Sequence, residues 1–204
     1  MTPRITIKNT FRHFGKILTH KWWVFYYCCK AGIPWRGLMH DMSKFSPTEF
    51  WESVRYYQGT SSPIDACKKD KGYSKAWLHH KGRNRHHYEY WVDNFDNGGT
   101  PLQMPYKDAV EMLCDYLGAG RAYMGKNFSY QAEYEWWKKK SEKPLAMHPK
   151  TFQFIQRILC TMAIEETCYE RASVEKVNLT PSALQFEYRD IDIKAIAKEK
   201  GIYG

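Results

Sequence analysis

The chain places histidine and acidic residues in an order that requires several separate segments to meet at one point. His40 and Asp41 are adjacent in G-L-M-H-D-M-S-K-F, His20 precedes them, and Asp115 lies on a later segment. Between the doublet and Asp115 there are four more histidines: His79, His80, His86 and His87. Imidazole and carboxylate groups are ligands of hard and borderline metal ions. The order H…HD…H…H…D therefore predicts a fold that gathers distant segments around a metal site.

Most of the chain has the apolar spacing of α-helices, and we find no convincing two-residue strand period. Apolar residues recur every three or four positions from Asn9 or Thr10 to Lys30, and Gly32 and Pro34 end this first helix. Ser46-Pro47-Thr48-Glu49 is a capping box with proline at the first helical position, which predicts a helix reaching about Gln58. We therefore expect an all-α fold.

Further helical segments follow from the same signals. In chain order they are a short helix from Pro34 to His40-Asp41, Tyr73 to Lys81, a helix that Asn84 caps and that carries His86 and His87, Tyr106 to Tyr123, Pro149 or Thr151 to about Ala172, a piece starting at Thr180-Pro181, and a tail helix from Asp190 to Lys200. Residues 59–72 and 93–105 are predicted to be loops because they are rich in glycine, proline, serine or asparagine.

Length and composition favour a single folded domain. A chain of 204 residues with 43% hydrophobic residues can bury a core without disulfide bonds. The six cysteines form no C-x-x-C motif, so we expect reduced core residues, with metal ligation as the alternative. The N-terminus lacks the apolar core of a signal peptide, and the apolar run from Trp22 to Cys29 is too short to span a bilayer. We therefore expect a cytoplasmic protein without a membrane partner.

The formal net charge of +9 favours anionic partners. Lys81, Arg83 and Arg85 interleave with the histidines and are expected to form a positive rim for a phosphorylated or otherwise anionic substrate. Trp136-Trp137 beside Lys138 to Lys140 is a second basic region, which could stack on bases and contact phosphates. Nucleic-acid binding is therefore an alternative, although the same pattern is also typical of packed tryptophans beside solvated lysines.

Asp115 has neighbours that favour a buried role. Small residues around an acid predict the close approach of another helix. The residues that share one helix face with Asp115 are Asp108, Glu111, Gly118, Ala119 and Ala122. The alternative is a surface acid paired with Arg121 or a lysine.

These residues resemble the HD-domain superfamily of metal-dependent phosphohydrolases over roughly residues 10–125. The segments H-D-x-S-K-F and H-H-x(5)-H-H-x-E-Y-W are also similar to an uncharacterised family of bacterial and phage proteins. The resemblance implies an HD-like helical bundle over residues 1–204, with a metal-site core at about 10–125 and C-terminal helices from 126–204 packing on it. The ligands that it implies are His20, His40, Asp41, His80, His86 and Asp115, with His79 and His87 as substitutes.

The resemblance also implies a reaction. Asp41 and Lys44 would be catalytic, and Lys44, Arg83 and Arg85 would bind a phosphorylated small molecule or a nucleotide. One or two divalent transition metal ions would activate water, and the ligand types do not distinguish Fe, Mn, Zn, Ni or Mg. Some superfamily members with six ligands hold two irons and activate oxygen, so a di-iron oxygenase is the alternative enzyme.

Overall fold

Helices form almost all of the regular structure in the computed structural model, which describes residues 4–168 and 179–191. In chain order the helices are α1 (Ile7–Lys30), α2 (Pro34–Met39), α3 (Pro47–Arg55), α4 (Pro63–Lys71), α5 (Lys75–Lys81), α6 (Tyr106–Met124), α7 (Tyr130–Ser141), α8 (Pro149–Cys168) and α9 (Pro181–Asp190). Strands β1 (Val92–Asp93) and β2 (Thr100–Pro101) pair antiparallel over two residues each. The expected all-α fold is confirmed.

Helix α6 lies at the centre of the fold, and every residue from Asp108 to Gly118 is buried. The longer helix α1 packs along it, and α8 and α9 also contact α6 while α7 packs on α8. At the crossing of α1 and α6, a Cβ atom placed on Gly118 would lie 2.5 Å from Cγ2 and 3.0 Å from the backbone nitrogen of Val24. The absence of a side chain at Gly118 is therefore what lets the two helices approach so closely.

Local capping signals locate several helix starts. The Ser46 hydroxyl accepts a hydrogen bond from the Glu49 amide at 3.4 Å, as the capping box predicts, although α3 ends at Arg55 rather than near Gln58. The Thr180 hydroxyl likewise accepts from the Ala183 amide at 3.4 Å and starts α9. These starts were predictable because a cap depends on residues within one helical turn.

Two segments differ from the sequence-based expectation. Residues 59–72, predicted as a loop, contain α4, which has Pro63 in its first turn and ends at Gly72 in the left-handed conformation. Residues after Asn84 do not form the predicted α-helix, and a 3-10 turn occupies Tyr88–Trp91. The Asn84 amide does not cap a helix there. Instead it donates to the Ser43 hydroxyl and to the His80 carbonyl oxygen, both at 2.8 Å.

Two predictions extend beyond the described residues. The predicted tail helix from Asp190 to Lys200 lies almost wholly outside them, because the described residues end at Ile191. The end of α8 predicted near Ala172 also lies outside them.

Helix α7 was not among the predicted helices. It begins after Ser129, whose hydroxyl accepts from the Ala132 amide at 3.0 Å.

The cysteines and the apolar helices test two expectations, that the cysteines are reduced core residues and that the chain does not span a membrane. All six cysteines are free thiols; Cys28, Cys67 and Cys114 are buried, whereas Cys29 and Cys168 are exposed and so are not core residues as predicted. Within residues 4–168 and 179–191, no helical segment combines the length and the apolar character that a membrane span requires.

We predict that Gly118→Ala lowers the free energy of unfolding by about 1–3 kcal/mol, because the new methyl group meets the Val24 backbone, which cannot move without separating α1 from α6. The matched control is Gly15→Ala, at an exposed position of α1 where a Cβ atom has nothing within 4 Å. Alanine should stabilise that site by about 0.5–1 kcal/mol. Urea unfolding measures both changes, and equal effects would contradict the close-packing argument.

Candidate metal centre

The backbone conformation of Asp41 explains how two adjacent residues face the same point. Asp41 has φ 55° and ψ 28°, in the left-handed region, and it connects α2 to a 3-10 turn at Met42–Phe45. Aspartate tolerates this conformation better than most residues with a Cβ atom. The resulting turn directs both His40 and Asp41 into the interior, where each side chain is at most 1% exposed.

One oxygen of the Asp41 carboxylate faces a first group of ligand atoms. The Nε2 atoms of His20 and His40 lie 3.5 and 3.2 Å from Asp41 Oδ2. Asp115 Oδ1 lies 3.1 Å from His20 Nε2 and 3.4 Å from His40 Nε2. Metal bonds of about 2.0–2.2 Å put the neighbouring ligands of a tetrahedral or octahedral ion about 2.8–3.6 Å apart. These four residues therefore have the spacing of a metal site.

The other oxygen of Asp41 faces a second group. The Nε2 atoms of His80 and His86 each lie 3.3 Å from Asp41 Oδ1. His87 completes this group, since each of the four residues has one ligand atom within 4.8 Å of those of the other three. Asp41 thus belongs to both groups, with one carboxylate oxygen directed at each.

The hydrogen-bonding state of these atoms fits a bound cation. Among the described residues, the following buried atoms of the two groups have no hydrogen-bond partner: Nε2 of His20, His40, His86 and His87, and both carboxylate oxygens of Asp41, of which Oδ2 forms an ion pair with Lys44. Each such buried polar atom costs about 1–3 kcal/mol when it stays unpaired. Because these atoms converge on one place, a metal ion would satisfy them together. The buried cluster is therefore a candidate metal centre.

Glu111 orients two of the histidines. Its Oε1 atom accepts from Nδ1 of His40 at 3.0 Å and lies 3.2 Å from Nδ1 of His86. Burial by itself raises the pKa of Glu111, but His40 and His86 lower it well below the usual range, so the carboxylate is an acceptor. An Nδ1–H that donates to a carboxylate directs Nε2 toward the centre, where it can bind a metal once it has given up its proton. Arg36 in turn holds Glu111, with Nε 2.7 Å from Oε2.

Glu49 orients the histidines of α5 in the same way. Its Oε2 atom lies 2.7 Å from Nδ1 of His80, and its Oε1 atom lies 2.6 Å from Nδ1 of His79. The Glu49 carboxylate thus holds both adjacent histidines, but the two rings have different roles. His80 presents Nε2 to Asp41, whereas His79 belongs to neither ligand group.

Opposite charges keep the buried acids ionised. Burial alone raises the pKa of Asp41, but His40 and Lys44 beside it hold that pKa well below its ordinary value. Burial also raises the pKa of Asp115, but His20 and His40 beside it lower that pKa well below its ordinary value. Burial also lowers the pKa of Lys44, but the Asp41 carboxylate, 2.5 Å from its Nζ, raises it above the ordinary value. Lys44 is therefore a charged ammonium group at the edge of the centre.

The structure brings together all six residues predicted as ligands, and His87 joins them. Of the two substitutes, His79 is instead held by Glu49 and is partly exposed. The pairs His79-His80 and His86-His87 both supply residues to the centre. This is possible because α5 ends at Lys81, and the irregular backbone after it turns His86 and His87 back toward His80. The ring centroids of His80 and His87 lie 4.8 Å apart.

The two predicted arginine contacts are not at the centre. Arg83 is exposed, and its guanidinium donates to the His79 carbonyl oxygen at 3.4 Å. Arg85 lies 3.5 Å from Asp108 and stacks 4.8 Å from the Trp91 ring centroid. Neither arginine lines the cavity that opens onto the centre. Their predicted contact with substrate is therefore not supported by their positions, whereas Lys44 lines the cavity and its predicted role stays a prediction.

Glu49 and Glu111 were not among the predicted site residues. A signal for Glu111 was present, because it lies one helical turn before Asp115 on the same face of α6. Glu49 was assigned only to the capping box of α3, where its backbone amide does bond Ser46. Its side chain serves a separate purpose, which only the position of α5 beside α3 reveals.

The fold places the two tryptophans of the predicted nucleic-acid patch, Trp136 and Trp137, in different environments. Trp137 has 0% exposed surface, and its indole donates to Gln156 at 2.6 Å, so its ring cannot stack on a base. Trp136 is partly exposed but packs on Tyr116, with ring centroids 5.3 Å apart. The paired stacking surface that the alternative requires is therefore absent at these two residues.

A cavity of about 210 Å³ opens onto the centre. The residues of the centre that line it are His20, His80, His87 and Asp115, together with Lys44 and Glu49. Its apolar walls come from α1, α4, α5 and α6: Ile17, Pro63, Ile64, Ala76, Trp77 and Ala119. The rest of the lining consists of His13, Lys16, Ser53, Ser62 and Tyr123. A small molecule in this cavity would touch both ligand groups and Lys44.

Comparison with known proteins places the chain in a family without assigning an activity. The model of a family of unknown function (DUF5662) matches residues 9–161, which include every residue of the candidate centre. Because the match covers most of the chain, the chain belongs to this family. Neither the curated proteins nor the solved structures include a match to the chain.

We predict that the protein purified without chelator contains one or two divalent metal ions per chain and that His40→Ala/Asp41→Ala loses them. The variant removes the shared carboxylate and one ligand of the first group. His148→Ala, outside both groups, should keep wild-type metal content. Elemental analysis of each folded protein checks the prediction. A wild-type chain that binds no metal even after reconstitution would make the cluster purely structural.

We also predict that Glu111→Gln weakens metal binding by about 10- to 100-fold, because an amide accepts the two Nδ1–H groups less strongly and orients the rings less well. Glu135→Gln is the matched control, since Glu135 is an exposed acid on α7. Titration in competition with a chelator measures both affinities. Equal metal affinities in the wild type and in Glu111→Gln would contradict the orienting role of Glu111.

Proposed function

We propose that this member of the DUF5662 family is a metal-dependent phosphohydrolase that acts on a phosphorylated small molecule or a nucleotide. The observation that carries the proposal is the shared Asp41 carboxylate, whose two oxygens face separate histidine groups beside a cavity with a charged lysine. Divalent metals held in this way lower the pKa of bound water and polarise phosphoryl oxygens. The donor set of imidazoles and carboxylates suits such a metal without selecting one.

The protein's own contribution begins with orientation. Glu111 and Glu49 accept hydrogen bonds from the outward-facing ring nitrogens, so His40, His86 and His80 keep their Nε2 atoms directed at Asp41. Ligands held in advance lose little entropy when the site is loaded. The buried position of the centre also excludes bulk water, which strengthens the interaction of each charge with a phosphate.

Lys44 is the residue that we assign to the phosphoryl group. Its ammonium group lies between Asp41 and the cavity, and its raised pKa keeps it charged at neutral pH. A fixed positive charge next to the phosphorus would stabilise the negative charge that develops on the phosphoryl oxygens in the transition state. Asp41 would hold both Lys44 and the metal in place.

The resemblance to HD-domain phosphohydrolases supports the same assignment. The order of His20, His40, Asp41 and Asp115 in the chain matches the order of ligands in that superfamily, and these four residues form the first group. The two groups around Asp41 favour two ions over one. The same donors would suit a di-iron oxygenase, but the charged lysine at the cavity favours a phosphorylated substrate.

The test measures release of inorganic phosphate from phosphomonoesters and nucleotides by the metal-loaded protein and by chelator-treated protein. We predict that Lys44→Met lowers kcat/KM by about 100- to 1,000-fold with unchanged metal content. Lys139→Met, at an exposed position on α7, is the matched control and should keep wild-type activity. Oxygen uptake with two irons per chain and no phosphate release would favour the oxygenase instead.

A further inference from the structure

The cavity extends away from the candidate centre along one face of α1. His20, Ile17 and His13 follow one another on this face, and all three line the cavity. His13 and His20 are seven positions apart on the helix, which corresponds to about 10.5 Å along its axis. His20 marks the metal end of the cavity, and His13 therefore marks a distal end.

His13 has no structural partner for one ring nitrogen. The side chain is buried, and its Nδ1 atom has no hydrogen-bond partner among the described residues. The rings of Phe50 and Tyr57 hold it, with centroids 5.6 and 5.5 Å away. Burial and the nearby charge of Lys44 lower the pKa of His13 to about 4, so the ring is neutral at pH 7. A neutral imidazole has one donor and one acceptor nitrogen, which suits a hydroxyl group.

His13 is also too far along α1 to be a metal ligand. It belongs to neither ligand group, and no other described acid or histidine forms such a group with it. A buried polar atom without a partner is rare in folded proteins and calls for an explanation. A ligand that enters the cavity would supply the missing hydrogen bond.

The size and walls of the cavity limit what lies between its two ends. A cavity of about 150 Å³ holds one benzene molecule, and this cavity measures about 210 Å³. Ile17, Ile64 and Trp77 form apolar walls in contact with this space. A nucleoside would have to leave its sugar or its base outside. The space suits a short carbon chain or a single ring.

We propose that the cavity accepts a compact, non-nucleotide phosphomonoester, with its phosphate beside Lys44 and a hydroxyl group hydrogen-bonded to His13. This inference rests on the proposed phosphohydrolase function for the reaction, but the ligand class follows from the cavity itself. In this proposal His13 recognises the substrate through a hydrogen bond. Ile64 and Trp77 form the walls that select substrates by size.

Binding is measured first, by calorimetry on the metal-loaded protein with ligands that cannot be hydrolysed. The probes are 4-hydroxybutylphosphonate, butylphosphonate and the phosphonate analogue of adenosine monophosphate. We expect the hydroxylated chain to bind about 10-fold more tightly than butylphosphonate, because it satisfies His13. The adenosine analogue should bind at least about 10-fold more weakly than the hydroxylated chain. Tighter binding of the adenosine analogue, or no preference for the hydroxyl group, would overturn the proposal.

Variants assign these preferences to residues. His13→Leu should reduce the hydroxyl preference to about 1, whereas the matched change His148→Leu should keep it. Ile64→Trp should weaken both compact phosphonates about 10-fold by filling the cavity, whereas Leu102→Trp, at an exposed position, should not. Metal content and the unfolding transition show that each variant is folded and loaded. An unchanged preference in His13→Leu together with unchanged binding in Ile64→Trp would place the ligand elsewhere.

Hydrolysis then separates this inference from the proposed function. If the phosphonates bind as expected but no phosphomonoester releases phosphate in a metal-dependent way, the ligand class stands and the phosphohydrolase proposal fails. If hydrolysis depends on metal but adenosine monophosphate has a higher kcat/KM than 4-hydroxybutyl phosphate, the phosphohydrolase proposal stands and the compact-substrate inference fails.

Discussion

Three carboxylates on one face of a buried helix require positive or hydrogen-bonding partners from the segments packed around that helix. Asp108, Glu111 and Asp115 lie one turn apart on α6, and all three are buried. A carboxylate removed from water is costly unless a positive charge or a hydrogen-bond donor accompanies it. Arg36 bonds to Asp108 and Glu111, and His20 and His40 lie beside Asp115. These pairs therefore connect α1 and α2 to α6.

The same acids connect the scaffold to the candidate chemistry. Glu111 bonds to Arg36 on one side and to the ring of His40 on the other, so a structural ion pair and a ligand-orienting bond share one carboxylate. Close packing of Gly118 on Val24 brings α1 near enough for His20 to reach Asp115. A displacement of either helix by a fraction of an ångström would therefore alter the ligand spacing as well as the core.

Predictability from the sequence depends on the range of the interaction involved. The starts of α3 and α9 and the helical character of α1 and α6 depend on residues within a few positions, and they were predicted well. The loop predicted over 59–72 was wrong, because its proline and glycine are the boundaries of α4. The helix predicted after Asn84 was also wrong, because the Asn84 amide bonds to Ser43, 41 residues earlier in the chain.

The sequence by itself determined an all-α fold and a set of histidine and aspartate residues whose order indicates a metal site, since residue type and helical periodicity are local properties. Only the tertiary structure decided that Asp41 faces two groups, that His87 joins them while His79 binds Glu49, and that Arg83 and Arg85 lie away from the cavity. Each of these outcomes depends on a left-handed turn, an irregular backbone or a neighbouring helix. The direction of a side chain is set by such long-range packing, which the order of residues does not reveal.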